Sequence, residues 1–393
     1  MQGDEERALR IRDALARHNL DALICRLPEN LVLLTGYWPV IGRSVVVVPA
    51  QGEPVLIAPS MEEEALREAT VRDVRTFRVW HLTDPAPEES LRALLRQAAT
   101  DRNLRGKRVG IDEGFEDIAP TQKILEPWAP GAASRRLIAE AVGDDLLDAT
   151  GLLVELRARK TSRELERIRT ACEIAGFGLE AFREAVAPGR REVDVAADVE
   201  RAVVVRGTGY RGVRHARAHA MIFSGEERLL AYSWGVAPSS SRTLERGDLV
   251  MLELSVVADG YYADLTRMRA VGSVSSQVKE AFDAVREAHR EAVRAARPGA
   301  TWKDVDAAAR TALRARGYGD AFIHHTGHGL GFRYHEAIPF LHPDAQGVLH
   351  EGMVTSIEPG IYGHGYGGIR VEDDIAIESQ GPVVLSESPR DLL

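Results

Sequence analysis

The sequence predicts an α/β domain followed by an α+β domain built from two related halves. Three observations predict it: alternating helical and short apolar patterns up to about residue 150, a change of texture near residue 160, and a repeat at a constant offset of 110 residues beyond it. A chain of 393 residues exceeds what one ordinary core holds, so two domains are expected. The boundary falls between 150 and 162, giving domains of 1–155 and 156–393.

The first part opens with an amphipathic helical pattern near residues 4–18 and an apolar strand at Ala22–Cys25. Ser44–Pro49 and Pro54–Ala58 read as strands around a turn at Gln51-Gly52-Glu53, and Val74–Phe77 and Val109–Asp112 as two more. Between those two lies the helical segment Pro87–Ala99, with proline suited to a first helical turn. Helices alternating with strands make this part α/β. Thr161-Ser162-Arg163-Glu164 then has capping-box spacing, and a long helix is expected from there to about Ala187, stopped by Pro188-Gly189.

The repeat pairs the 22-residue segments starting at Pro188 and Pro298, with nine identical positions, among them Asp194/Asp304, Val195/Val305 and Gly207/Gly317. Each copy reads as a turn, a helix and a glycine-terminated cap. Downstream, Gly247–Glu253 resembles Gly352–Glu358, and Gly260–Asp264 resembles Gly368–Glu372. Each half therefore offers a strand ending in a carboxylate, a turn, and a second strand carrying another.

Composition narrows the function. Net charge of −9 and a pI near 5.8 give no electrostatic reason to seek nucleic acid or an anionic membrane. Cys25 and Cys172 make no CxxC spacing, which argues against structural disulfides and thiolate zinc, and Cys25 lies in an apolar run that reads as buried. The N-terminus lacks the apolar core of a signal peptide and no apolar stretch reaches 18 residues, so a cytoplasmic protein is expected.

Two halves packed about a pseudo-twofold axis would bring Glu253, Asp264, Glu358 and Glu372 toward one centre. Buried carboxylates need counter-charge. Arg370 and Arg267 lie close in sequence and would neutralise part of it; four acids call for a divalent metal or a pair, with an all-protein ion-pair network as the bland alternative. His324, His325, His328 and His335 fall in one glycine-rich segment, HHTGHGLGFRYHE, and supply imidazoles for ligation or proton transfer. Gly327, Gly329 and Gly331 would let the backbone approach a ligand closely.

Residues 160–393 resemble the catalytic domain of the pita-bread family that contains methionine aminopeptidase, Xaa-Pro aminopeptidase, prolidase and creatinase. The motifs are HxxGHGxG at His324–Gly331 followed by His335, EPG at Glu358-Pro359-Gly360, RxED at Arg370–Asp373, and GYYADLTR at Gly260–Arg267. The first 150 residues, with LTGY at Leu34–Tyr37, resemble the extra domain of the prolidase and Xaa-Pro aminopeptidase branch. The resemblance implies a creatinase-type N-terminal domain, a pita-bread catalytic domain, and cleavage of an Xaa-Pro bond in short peptides. It implies metal ligands at Glu253, Asp264, His328, Glu358 and Glu372, holding two manganese ions or, alternatively, cobalt or zinc. Glu358 would be the general base, His324 and His335 would hold the substrate carbonyl and oxyanion, and Arg370 would fix Glu372 or reach a substrate carboxylate. Relatives of this layout are commonly homodimers, which makes Tyr37, Trp38 and Arg43 candidates for a wall of the substrate cleft.

Two departures from the family pattern stand out. The first ligand is normally aspartate; here it is Glu253, whose extra methylene moves the carboxylate by about 1.5 Å. Tyr232 occupies the place of a usual histidine, for which His215 or His219 would have to substitute. Two other readings therefore stay open: a creatinase- or ectoine-hydrolase-like C–N hydrolase with Glu253 as nucleophile, and a binding protein without catalysis.

Overall fold

Asp4 caps the first helix by accepting the Arg7 amide at 2.9 Å, and the helix turns Ile11, Ala14 and Leu15 into a core. The computed structural model describes residues 4–79, 85–113, 131–230, 239–386 and 388–392. It divides into two units, Met1–Arg157 and Ala158–Leu393. The first contains α1 (Glu5–Arg17), β1 (Ala22–Cys25), α2 (Pro28–Thr35), β2 (Val45–Pro49), β3 (Val55–Pro59), α3 (Glu63–Leu66), β4 (Asp73–Phe77), α4 (Pro87–Asp101), β5 (Val109–Ile111), α5 (Gly131–Val142), β6 (Leu146–Asp148) and α6 (Thr150–Ala158), whose last residue crosses into the second unit. Six strands form one mixed sheet in the order β4-β3-β2-β1-β5-β6. Its inner strands β1, β2, β3 and β5 are continuous buried runs; Leu91 and Leu95 of α4 and Leu137 and Ile138 of α5 join its core. Cys25 is buried as expected.

The second unit begins with α7 (Ser162–Ala185), where Thr161 and Glu164 complete the expected capping box. There follow α8 (Glu192–Gly207), β7 (Ala216–Ser224), α9 (Glu226–Leu230), β8 (Leu249–Ala258), β9 (Tyr261–Ala270), α10 (Ser276–Ala295) and α11 (Trp302–Ala315). The remaining strands are β10 (Gly327–Gly329), β11 (Glu336–Leu341), β12 (Val354–Ile357), β13 (Gly360–Gly363), β14 (Gly367–Arg370), β15 (Asp373–Glu378) and β16 (Gly381–Val384). The sheets are β7-β8-β9, β11-β10-β12-β15-β16 and the hairpin β13-β14.

The two-half architecture is present, and its backbone bonds repeat. Gly189 N donates to Leu244 O and Gly299 N to Leu349 O, both at 2.8 Å; Gly247 N donates to Val271 O at 2.8 Å and Gly352 N to Ile377 O at 2.9 Å. Helices α8 and α11 start at matched positions of the repeat. Two details differ from the sequence expectation. Glu253 lies mid-strand in β8, which runs on to Ala258, because Ser255, Val256 and Val257 keep alternating inside the ladder. And the ladder makes Thr266, opposite Glu253, the counterpart of Glu372, since Ile357 pairs with Asp373 and the next rung sets Glu358 beside Glu372. The similarity of Gly260–Asp264 to Gly368–Glu372 does not survive as register, because the hairpin β13–β14 intervenes between β12 and β15.

Candidate metal centre

Glu253 and Asp264 reach the centre from one ladder. Glu253 pairs with Thr266 and Ser255 with Asp264, so all four side chains share one face. Glu358 follows β12, Glu372 lies between β14 and β15, and His328 is the middle residue of β10. All five candidate ligands are buried. Their ligand atoms fall into overlapping sets, Glu253–Asp264–Glu372, His328–Glu358–Glu372 and Asp264–His328–His335, with the atoms of each set within 4.8 Å of one another.

Glycine makes β10 narrow enough to be squeezed between its neighbours. A Cβ on Gly327 would stand 1.9 Å from the Ser356 carbonyl oxygen, and one on Gly329 2.1 Å from that of Ile338; one on Gly331, at φ +137°, would strike Ile168 and Lys160. The glycines thus admit adjacent backbone, Lys160 and α7. This packing sets His328. Its Nδ1 can only donate to the Gly329 carbonyl, 2.9 Å away, so Nε2 turns its lone pair toward Asp264 Oδ2 and Glu358 Oε1, each at 3.4 Å. Burial and the neighbouring His325 lower its pKa to about 3, which keeps it a neutral ligand. The following turn is braced by Lys160, whose Nζ donates to Glu336 Oε2 at 2.7 Å while Glu336 Oε1 accepts the Phe332 amide at 2.7 Å.

The centre is short of positive charge. Burial, and then repulsion from Glu372, push Asp264 and Glu358 well above the usual carboxylate range; burial raises Glu372 as well, against the opposing pull of Arg370. Arg370 pairs with Glu253, stands 3.6 Å from Glu358 and reaches Glu372 through Thr266, to whose Oγ1 its Nε donates at 2.9 Å. Arg267 offsets part of the charge on Glu372, but its hydrogen bonds go elsewhere: its Nη2 donates to Asp373 Oδ1 at 2.7 Å and its Nη1 to the Glu372 carbonyl at 2.5 Å. Asp373 is held well below the usual range, burial being outweighed by Arg267, His289 and Arg390. Glu372 Oε1 and His335 Nδ1 are buried with no hydrogen-bond partner among the described residues. Oxygen-rich donors, one neutral imidazole and an orphaned carboxylate oxygen fit a divalent cation.

The other candidates are distributed unevenly. The His335 ring lies 4.2 Å from that of His328, within the centre. His324 engages both ring nitrogens in protein contacts, Nδ1 donating to the His325 carbonyl at 2.7 Å and Nε2 accepting from Tyr362 at 3.3 Å. His325 also approaches Glu358, with Nε2 3.6 Å from Oε1. His215 hydrogen-bonds through its backbone to Asp259 at the turn, about 20 Å along the strand from Glu253 at ~3.3 Å per residue. His219 is better placed: it pairs with Ser255, which pairs with Asp264, so it lies on the ligand-bearing face. Tyr37 is sealed inside the first unit, its hydroxyl donating to Glu62 at 2.7 Å and lying 3.0 Å from Ser44 Oγ, and offers no wall to a ligand. Trp38 and Arg43 are partly exposed, with Arg43 3.7 Å from Glu88. Tyr232 lies outside the described residues.

Sequence reading missed two hydroxyls. Tyr334 OH contacts Glu253 Oε1 at 2.8 Å and Asp264 Oδ1 at 2.9 Å; Thr266 Oγ1 contacts Glu253 Oε2 and Glu372 Oε2, each at 2.7 Å, and accepts from Arg370 Nε at 2.9 Å. The available signal was adjacency: Tyr334 precedes His335, and Thr266 shares the strand face of Asp264.

Similarity to known proteins extends over both units. A family model described as Metallopeptidase family M24 matches residues 166–379, and one described as Creatinase/Prolidase N-terminal domain matches residues 7–159. The Xaa-Pro dipeptidase of Pyrococcus furiosus is 32% identical over 389 residues, covering 99% of this chain and 100% of that protein. The prolidase structure from Pyrococcus horikoshii superposes with a TM-score of 0.77 at 28% identity, covering 99% of this chain and 100% of that one. An Xaa-Pro dipeptidase structure from Bacillus anthracis gives 0.78 at 26% identity, covering 99% of both chains.

Proposed function

Because the chain belongs to metallopeptidase family M24, and is therefore a metal-dependent hydrolase, we propose that it hydrolyses the Xaa-Pro bond of short peptides. The observation that carries the chemistry is the gathering of Glu253, Asp264, His328, Glu358 and Glu372 in one buried, cation-deficient cluster. The substrate class rests on likeness to proteins named Xaa-Pro dipeptidase and prolidase along nearly the whole chain.

In this reading His328 Nε2, Glu358 and Glu372 hold one ion, and Glu253, Asp264 and Glu372 a second, with manganese suited to the oxygen-rich donors. When bound, the ions supply Lewis acidity, which acidifies a water and polarises the scissile carbonyl. Glu358 is the general base: its carboxylate accepts the proton of the attacking water and passes it to the leaving proline nitrogen. Ser356 Oγ, 3.1 Å from Glu358 Oε1, orients that carboxyl. His335, whose Nδ1 is without a partner among the described residues, steadies the developing oxyanion. His325 joins it at the rim, taking the part the sequence gave to His324. A homodimer in the cytoplasm belongs to the same reading. A nucleophilic Glu253 is disfavoured, since both of its oxygens are engaged by Tyr334, Thr266 and Arg370.

Hydrolysis of Xaa-Pro and Xaa-Pro-Xaa peptides with manganese, and its loss with chelator, tests the proposal. No cleavage of either peptide, alongside turnover of a cyclic or guanidino compound, overturns it.

A further inference from the structure

The two candidate metal positions differ in what already occupies their donors. At the position of His328, Glu358 and Glu372, the Glu372 Oε1 atom has no hydrogen-bond partner among the described residues, and His328 presents a bare Nε2 lone pair. At the position of Glu253, Asp264 and Glu372, every acid is engaged by a protein donor group. Tyr334 OH bridges Glu253 Oε1 and Asp264 Oδ1 at 2.8 and 2.9 Å, Thr266 Oγ1 bridges Glu253 Oε2 and Glu372 Oε2 at 2.7 Å each, and Arg370 pairs with Glu253.

Tyr334 stands in the path of a second ion. Its side chain is fully buried and lies ring-to-ring with His335 at 4.3 Å, so the phenol has no space in which to swing clear. A cation between Glu253 and Asp264 must displace the phenol, whose single proton is shared between the two carboxylates. A hydrogen bond to a carboxylate is the stronger kind. Glu253 belongs to the same device: its extra methylene over aspartate brings Oε1 within reach of the phenol while Oε2 reaches Arg370 and Thr266.

We propose that Tyr334 is an occupancy-determining residue, a phenol that competes with the ion at the Glu253–Asp264–Glu372 position, so that the chain holds one divalent ion firmly and a second only weakly. This rests on the metallopeptidase reading above, but its test reads metal content and not turnover. Tyr334→Phe keeps the ring and removes only the hydroxyl. The protein is loaded with manganese, dialysed against metal-free buffer, and its ions per chain counted by mass spectrometry, with calorimetric titration for the second-ion Kd.

The expected result is one retained ion per wild-type chain, close to two in Tyr334→Phe, and a second-ion Kd tightened about tenfold or more. Two ions retained by the wild type, equal stoichiometry in both proteins, or loss of an ion in Tyr334→Phe (which would make the phenol a ligand) each overturn the proposal. Should Tyr334→Phe fail to fold, Glu253→Asp withdraws the carboxylate from the phenol by about 1.5 Å and is expected to give the same gain; no gain there overturns the proposal. Xaa-Pro hydrolysis is measured on the same samples at saturating manganese. The expected stoichiometry without hydrolysis sinks the functional reading alone, and hydrolysis with unchanged stoichiometry sinks the Tyr334 inference alone.

Discussion

The two halves of the catalytic unit share a backbone plan and differ in how they deliver their acids. In the first half β8 and β9 run for ten residues each, and Glu253 and Asp264 project from within an unbroken ladder. In the second half β12 has four residues and β15 six, a hairpin interrupts them, and Glu358 and Glu372 sit where strands stop. Acids inside a ladder are framed by cross-strand neighbours, which is why Thr266 lies against Glu253. Acids at strand ends have fewer such neighbours, and Glu372 keeps one oxygen bare. The first half reads as scaffold, its acids already engaged by hydroxyls and Arg370, the second as the reactive side.

The largest test of that contrast is Glu358→Gln. Removing the base is expected to lower kcat by about 10²–10⁴ while much of the metal stays bound, measured by steady-state kinetics beside metal analysis. A variant that keeps its turnover would move the base to the first half. Next comes Lys160→Ala, which leaves Glu336 buried without its cation beneath the turn that carries His335. A loss of about 3–5 kcal/mol is expected by denaturant titration; a change under 1 kcal/mol would mean that water reaches Glu336.

A pH series sharpens the comparison further. Asp264, Glu358 and Glu372 are raised above their ordinary values of 3.8 for aspartate and 4.5 for glutamate. A raised acid binds its proton more tightly when folded, so its contribution is full below the ordinary value and is lost as pH rises through the raised one. These acids should therefore disfavour the metal-free fold as pH rises toward neutral, an effect opposed by His324, His325, His328 and His335, which burial lowers, and manganese should raise Tm more at about pH 8 than at about pH 5. An equal gain at both would show that the acids are not short of counter-charge. The smallest effect is expected from Glu253→Asp, which should keep kcat/KM within about tenfold of wild type or improve it. Complete loss of activity would restore Glu253 as a nucleophile.

Much of this was legible in the sequence because it depends on local pattern. The capping box at Thr161, the strand at Ala22–Cys25 and the helix after Pro87 follow from spacing that acts within a few residues. The ligand cluster was legible because two similar halves placed similar acids. What escaped depends on partners distant in sequence. Nothing near Arg370 tells that its guanidinium meets Glu253, 117 positions away. Nothing in HHTGHG distinguishes His324, which turns to Tyr362, from His325, which turns to Glu358. The choice between His215 and His219 needed the ladder register, since a shift of four residues moves a side chain more than 10 Å along a strand, at ~3.3 Å each.

The tight passage of β10 between Ser356 and Ile338 also bears on how this centre can be altered. Gly327 and Gly329 have carbonyl oxygens where any side chain would begin, so the segment bearing His328 is closed to redesign by simple replacement. Efforts to retune metal preference are better directed to the opposite wall, where Glu253, Thr266 and Tyr334 meet side chain to side chain and a change of length or hydroxyl can be absorbed.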